Sequence, residues 1–408
     1  MGGVAGHMAH LHESMDLTFG EIKSILLDVA ASRIDAFEKV DGQNIFFSWD
    51  RSSGRARCAR NMGDIERGGM TPREYTSKWR GHPAEAAFMG GFAAIEGFLS
   101  SLPRRTLEAV FEAQGRRYVN AEIVCARSPN MIRYDGNHIV IHNLQDFSGD
   151  RAVVLPGRSL AELTRRLDGS KFDVDGTQWT AHGPMRVQIP DTSRGAHCEK
   201  LTRDIDEIRC ALPDSATLSD WVAHLLRQGP VGDLGLSPSR SERLIERIVG
   251  LVSGVSTRDL PDLRSLKSGL TESASRRVSD MATVATVRSA VSALTEPLEW
   301  AISEFAVEAL RGVSSALVRD HEFELQRQRS ELQESIRLIR AARSAAAIPI
   351  RALLEKQLGK LGSVENVNQT IEGIVFEHPK GNGRLCKLTG SFAMVNQIVG
   401  RARRMPAD

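Results

Sequence analysis

The chain has 408 residues, 41% hydrophobic and 25% charged, an ordinary balance for a soluble globular protein of two or three domains with a sizeable core. No apolar run is long enough to span a bilayer and the segment Met1–His12 has no apolar signal region, so a cytoplasmic chain without a membrane partner is expected. The five scattered cysteines lack a CxxC pair, which disfavours a disulfide frame or structural zinc, and a net charge of +2 leaves a local basic groove undecided.

His7, His10 and His12 read as a flexible tail rather than a metal site, because no carboxylate or cysteine joins them at a ligand spacing. Thr18 and Glu21 form a capping box, and Ile22, Ile25, Leu26 and Val29 share one face of the helix that follows. Next comes Glu38-Lys39-Val40-Asp41-Gly42-Gln43-Asn44, expected as a loop that presents Lys39 and closes its backbone on a phosphate. Ile45–Trp49 and Arg55–Ala59 predict a β-hairpin ending in the polar loop Arg60–Asp64. Thr71–Leu102 predicts mostly helix.

From Tyr118 to Cys125 the chain alternates. Val119, Ala121, Ile123 and Cys125 fall on one face, which turns Tyr118, Asn120 and Glu122 to the other. A second strand is expected at His138–Leu144, followed by short β pieces from Val153 to Pro190. Between about Cys210 and Gly362 the β signal disappears. Ala306, Ala309, Leu310, Val313, Ala316 and Leu317 predict one helical stripe, Leu332, Ile336 and Ile339 another, and Pro349 restarts the pattern. Ile371–Phe376 and Arg384–Leu388 then predict a hairpin across Pro379–Gly383, with Leu385 and Lys387 on one face.

Four of these stretches, Lys39–Gly42, Asn120–Val124, Glu372–Phe376 and Cys386–Leu388, resemble in order motifs I, III, IV and V of the covalent nucleotidyltransferases, the polynucleotide ligases and mRNA capping enzymes. The extended form Glu38–Asn44 is most similar to the branch that contains phage RNA ligases and RNA-editing ligases, and Arg60 with Gly63 resembles motif Ia. The resemblance implies that Lys39 attacks the α-phosphate of ATP and forms a lysyl-AMP bond, as an amine kept neutral or nearly so by nearby positive charge and metal. It further implies that Arg60 holds phosphate or ribose oxygens, Glu122 holds ribose hydroxyls, Glu372 positions Mg2+ or Mn2+, and Lys387 offsets charge as pyrophosphate leaves. Glu38, Asp41, Gly42, Asn44 and His142 complete the expected nucleotide site, His142 standing where the family offers an aromatic ring.

The chain departs from the family pattern in three ways. Motif V has one lysine where two are usual, with Arg384 or Lys380 as substitutes; 250 residues separate Glu122 from Glu372; and 21 residues follow Lys387, too few for an OB domain. The expected fold is therefore α+β: a nucleotidyltransferase (ATP-grasp-like ligase) core of antiparallel sheets and helices, 1–200 and 363–408, interrupted by an α-helical insertion at 201–362, without an OB domain. The expected activity is ATP-dependent joining of 5′-phosphate to 3′-hydroxyl polynucleotide ends, RNA preferred, on RNA or nicked duplex substrates. Two other readings share these residues: a degenerate binding or structural protein that recruits a partner through its helices, and a nucleotidyltransferase acting on something other than nucleic acid. Oligomeric state is open.

Overall fold

The alternation centred on Glu122 builds the middle of the larger sheet. In a computed structural model that describes residues 10–112, 115–148, 153–155, 158–341, 348–381 and 385–403, the smaller sheet takes β1 (Ala36–Lys39), β9 (Arg186–Val187), β10 (Gly373–Glu377) and β11 (Leu385–Leu388) in the order β11-β10-β1-β9. The larger sheet is formed by β2 (Gln43–Asp50), β3 (Arg55–Ala59), β4 (Arg117–Val124), β5 (Asn137–Asp146), β8 (Thr177–His182) and β7 (Lys171–Val174) in the order β3-β2-β4-β5-β8-β7, with β6 (Val153–Val154) pairing β5. β5 and β8 run parallel while the other pairs are antiparallel. The protein is thus a mixed α+β fold, and no single helix among the described residues is long and apolar enough to cross a membrane.

Period-two patterning gives each sheet one mostly apolar face, and the second face of the larger sheet is largely buried as well. Val119, Ala121, Ile123 and Cys125 join Ile45, Phe47, Ile139 and Ile141 in a core that includes Phe88, Phe92 and Ile95 of helix Glu85–Ser100. On the smaller sheet, Ala36, Ile374, Phe376, Cys386 and Leu388 pack with Ile25 and Leu26 of helix Phe19–Ala30 and with Leu298 and Phe305 of helix Val284–Ala309. The chain passes from one sheet to the other in only Val40, Asp41 and Gly42, so Lys39 sits at their join.

Segment 201–362 is helical, as its patterning predicts, and it shares buried side chains with both β parts. Trp221 packs edge-on against Phe19 at 5.7 Å, and Leu332, Ile339 and Leu354 share a core with Val40, Val124, Tyr134 and Val140.

Three local expectations need correction. The helical stripe through Ala306 stops at Ala309: residues 313–318 leave the helix, and Ser315 is held by Thr370 Oγ1, which accepts its backbone N–H at 3.2 Å. Within 153–190 the chain also forms a helix, Arg158–Leu167, where Leu163 and Leu167 bury against the larger sheet. The histidine-rich start is not a loose tail from His10 onward. Leu11 is 1% exposed, and His10 makes a parallel bridge to Lys387; His7 lies outside the described residues.

Candidate active site

Lys39 ends strand β1 rather than lying in a loop. Strand alternation puts Phe37 and Lys39 on one face and Ala36 and Glu38 on the other. The Lys39 ammonium, with 20% of its side chain exposed, forms an ion pair with Glu372, the residue that precedes β10. This pairing follows from register, since Lys39 lies opposite Gly373 and Val375 lies opposite Lys387. Gly373 is required by space, because a Cβ there would overlap the carbonyl oxygen of Leu388 on β11.

Beyond Lys39 the sheet crossing is locked by hydrogen bonds. The Asp41 carboxylate accepts from the backbone amides of Met131 (2.7 Å) and Ile132 (2.8 Å), and the Asp41 amide donates to the Tyr134 hydroxyl at 2.8 Å. Asn130 donates to the Gly42 carbonyl at 2.8 Å. A Cβ on Gly42 would lie 2.8 Å from the Ile123 carbonyl oxygen and 3.1 Å from Glu122, so the loop closes against β4 only with glycine there. Asn44 stands opposite Glu122 in the sheet, its amide donating to Asn120 Oδ1 at 2.6 Å.

Glu122, Arg60, His142 and Lys387 all act electrostatically on this cluster or on Lys39 itself. Burial pushes the Glu122 carboxyl up to about 8 against the opposing pull of the Lys39 ammonium, and its Oε2 is buried without a hydrogen-bond partner among the described residues. Arg60 follows β3, with its guanidinium 4.8 Å from the Phe88 ring and Nη1 buried and unpartnered; burial lowers its pKa while Glu122 opposes that shift. His142 is the extra residue where β5 shifts register between the pairs Asn120–Asn143 and Ala121–Ile141, a bulge of the kind that re-aims side chains near sites. Burial, reinforced by the Lys39 charge, lowers its pKa to about 4, so the ring is neutral. Lys387, 7% exposed, has its pKa lowered by burial, with Glu13 opposing and Lys39 adding to the drop.

Glu38 does not join them. It faces the opposite side of β1, where burial pushes its carboxyl up to about 7; the Ser315 hydroxyl and Ala316 amide face it and oppose that rise without reaching hydrogen-bond geometry. Of the two substitutes for the second motif V lysine, Lys380 donates to Ser24 Oγ at 2.6 Å on helix Phe19–Ala30, and Arg384 lies outside the described residues, as do Asn382 and Gly383 of the expected turn.

The protein's own side chains favour the ammonium of Lys39, so the neutral amine expected from the resemblance would require the positive charge of a bound metal. Burial favours the neutral form, but the carboxylates of Glu372, Glu122 and Asp41 outweigh it and the net shift is upward. Lys39 therefore rests as an ammonium within a carboxylate cluster. Asp41 shares the strain: burial, then the Glu372 charge, pushes it up to about 7 against its two amide donors.

The sequence assigns no site role to Tyr134 or Asn130 and places His12 in a flexible tail. Tyr134 and Asn130 lie in the turn-rich stretch after β4, whose contact with Asp41 and Gly42 spans some 90 residues. His12 is half-buried among charges that include Glu299, Glu13, Lys387 and Lys360, and desolvation lowers its pKa. Among the described residues no group of three or more His, Cys, Asp or Glu side chains could hold a metal ion. Glu372 and Glu122 nonetheless offer oxygen donors beside Lys39, and Mg2+ characteristically takes one or two carboxylates together with water and substrate phosphate. Compared with protein-family models, curated proteins and solved structures, the chain matches none.

Proposed function

We propose that the protein is an ATP-dependent nucleotidyltransferase that works through a covalent lysyl-AMP on Lys39 and passes AMP to the 5′-phosphate of a polynucleotide, RNA ends preferred, for joining to a 3′-hydroxyl. The observation that carries this reading is the convergence of Lys39, Glu122 and the pair Glu372 and Lys387, drawn from three distant stretches, on the join between two sheets. A half-buried lysine paired with a half-buried carboxylate across 333 residues gives up hydration for a contact that stability alone would not demand.

In the first step the Lys39 ammonium gives up a proton and its nitrogen lone pair attacks the α-phosphorus. The N–P bond forms, the bond from that phosphorus to the bridging oxygen breaks, and pyrophosphate leaves with the electron pair. Glu372, already in contact with Nζ, is placed to orient the amine and receive its proton. Lys387 supplies positive charge on the same sheet face, and the unpartnered Nη1 of Arg60 is a ready donor to phosphate or ribose oxygen. The empty acceptor capacity of Glu122 Oε2 suits a ribose hydroxyl. A divalent cation would be held by Glu372 with Glu122 nearby, and when bound it supplies charge neutralisation on the phosphates and lowers the lysine pKa.

The test is incubation of the full chain with α-labelled ATP and Mg2+ or Mn2+, followed by denaturing electrophoresis. A label that survives boiling and is lost in Lys39→Ala is expected. Wild-type protein left unlabelled by every nucleoside triphosphate would give the case to the binding-protein reading.

A further inference from the structure

The face of the larger sheet that carries Glu122 continues past the Lys39 site. Alternation along β2 places Asn44, Phe46 and Ser48 on it, and β4 adds Glu122, Asn120 and Tyr118; the register Phe47–Val119 brings Ser48 opposite Tyr118. Arg57 of β3 lies opposite Ser48. At this far end is a cavity of about 780 Å3. Five arginines line it, Arg51, Arg57, Arg67, Arg104 and Arg116, against three carboxylates, Asp50, Glu66 and Glu112.

Two hydroxyls there have no bonding partner among the described residues. Tyr118 is 0% exposed and Ser48 2% exposed, both line the cavity, and neither side-chain oxygen has a hydrogen-bond partner among the described residues. A buried hydroxyl without a partner is unfavourable, so two on paired strands beside a cationic wall fit an acceptor that arrives from outside. Arg57 is tied to Asp50 at 2.8 Å and Arg67 to Asp64 at 2.7 Å, whereas Arg116 has no ion-pair partner among the described residues.

We propose that the cavity bounded by Ser48, Tyr118, Arg57 and Arg116 is a phosphate-binding subsite, distinct from the Lys39 site, that takes a backbone phosphate of the polynucleotide. Both hydroxyls can donate to a phosphate oxygen while the guanidiniums supply charge and paired N–H donors. Burial pushes the Tyr118 phenol up to about 12, which keeps it a donor. Ser48 is four residues along β2 from Asn44, or about 13 Å at strand rise, so one short strand reaches both places. That a polynucleotide supplies the phosphate rests on the nucleotidyl-transfer reading; the anion site itself rests on the cavity.

The experiment is fluorescence anisotropy of a 5′-phosphorylated single-stranded oligoribonucleotide with the full chain, without ATP or metal, so that its outcome is independent of Lys39 labelling. Tyr118→Phe removes an oxygen without a partner among the described residues and is expected to fold as wild type yet bind about tenfold more weakly. Arg116→Ala should weaken binding similarly and reduce the slope of log affinity against log salt by about one. Arg276→Ala, on the exposed helix Glu272–Met281, controls for loss of charge and should leave binding intact. Competition identifies the source of the phosphate: displacement by oligonucleotide but not by equimolar inorganic phosphate or AMP supports the backbone assignment, and equal displacement by these small anions overturns it. Unchanged oligonucleotide and phosphate binding in both Tyr118→Phe and Arg116→Ala would overturn the subsite altogether.

Discussion

Lys39 and Glu372 form an ion pair across 333 residues of sequence, because β1 and β10 pair antiparallel with Lys39 opposite Gly373. The carboxylate does two opposed things. It holds the amine at the join of the sheets, and it raises the amine's pKa, which disfavours the free base needed for attack. Glu372→Gln is therefore expected to lower the rate of self-labelling through lost positioning while moving the rise of rate with pH to lower pH. A pH series of single-turnover labelling measures both; a profile that does not move would separate Glu372 from the titration of Lys39.

Gly42→Ala tests how closely the sheet crossing must approach β4. A methyl group 2.8 Å from the Ile123 carbonyl forces the loop or Glu122 to shift, and a destabilisation of about 1–3 kcal/mol is expected in urea unfolding. Labelling should fall as well, since Glu122 lies 3.1 Å from the same added atom.

Glu38 sets a pH dependence of stability. Its folded pKa of about 7 stands above the ordinary 4.5, so the folded state binds more protons than the unfolded chain between those values. The sign follows: stability falls as pH rises through that window, and Asp41 and Glu122, also raised, act in the same direction. Glu38→Gln should remove part of that fall and be more stable than wild type at pH 8 by roughly 1–3 kcal/mol. Thermal melts at pH 5 and pH 8 report it; equal pH slopes in the two proteins would contradict it.

Leu11→Ala tests whether the N-terminal segment belongs to the core. Leu11 is 1% exposed and packs in the same cluster as Phe305 and Leu388, so truncation should cost about 2–4 kcal/mol. A flexible tail would show no change in the denaturation midpoint.

Replacing residues 215–360 with a Gly/Ser linker should abolish cooperative unfolding. The deletion removes Leu244, Ile248, Leu298 and Phe305, which cover Ile25, Leu26, Ile374 and Phe376, and it removes Ser315 and Ala316 from beside Glu38. A melt with a single sharp transition in the deleted chain would show that the β parts form a finished core without these helices.

The sequence by itself determined what rests on short-range periodicity. The two-residue alternation from Tyr118 to Cys125 placed Glu122 opposite an apolar face, the alternation at Arg384–Leu388 put Lys387 on one face with Leu385, and Thr18 with Glu21 marked a helix start, because these features depend only on neighbours along the chain. Helix Arg158–Leu167 was hidden in a stretch interrupted by Gly and Pro, where Leu163 and Leu167 become informative only once a sheet is there to cover them. Only the tertiary structure decided that Glu38 and Lys39 go to opposite environments, that three carboxyl groups crowd one ammonium, and that Leu11 is buried. The same holds for the unpartnered hydroxyls of Ser48 and Tyr118. Burial and charge proximity are set by segments tens to hundreds of residues apart, and local pattern carries no information about which distant surface closes over a given side chain.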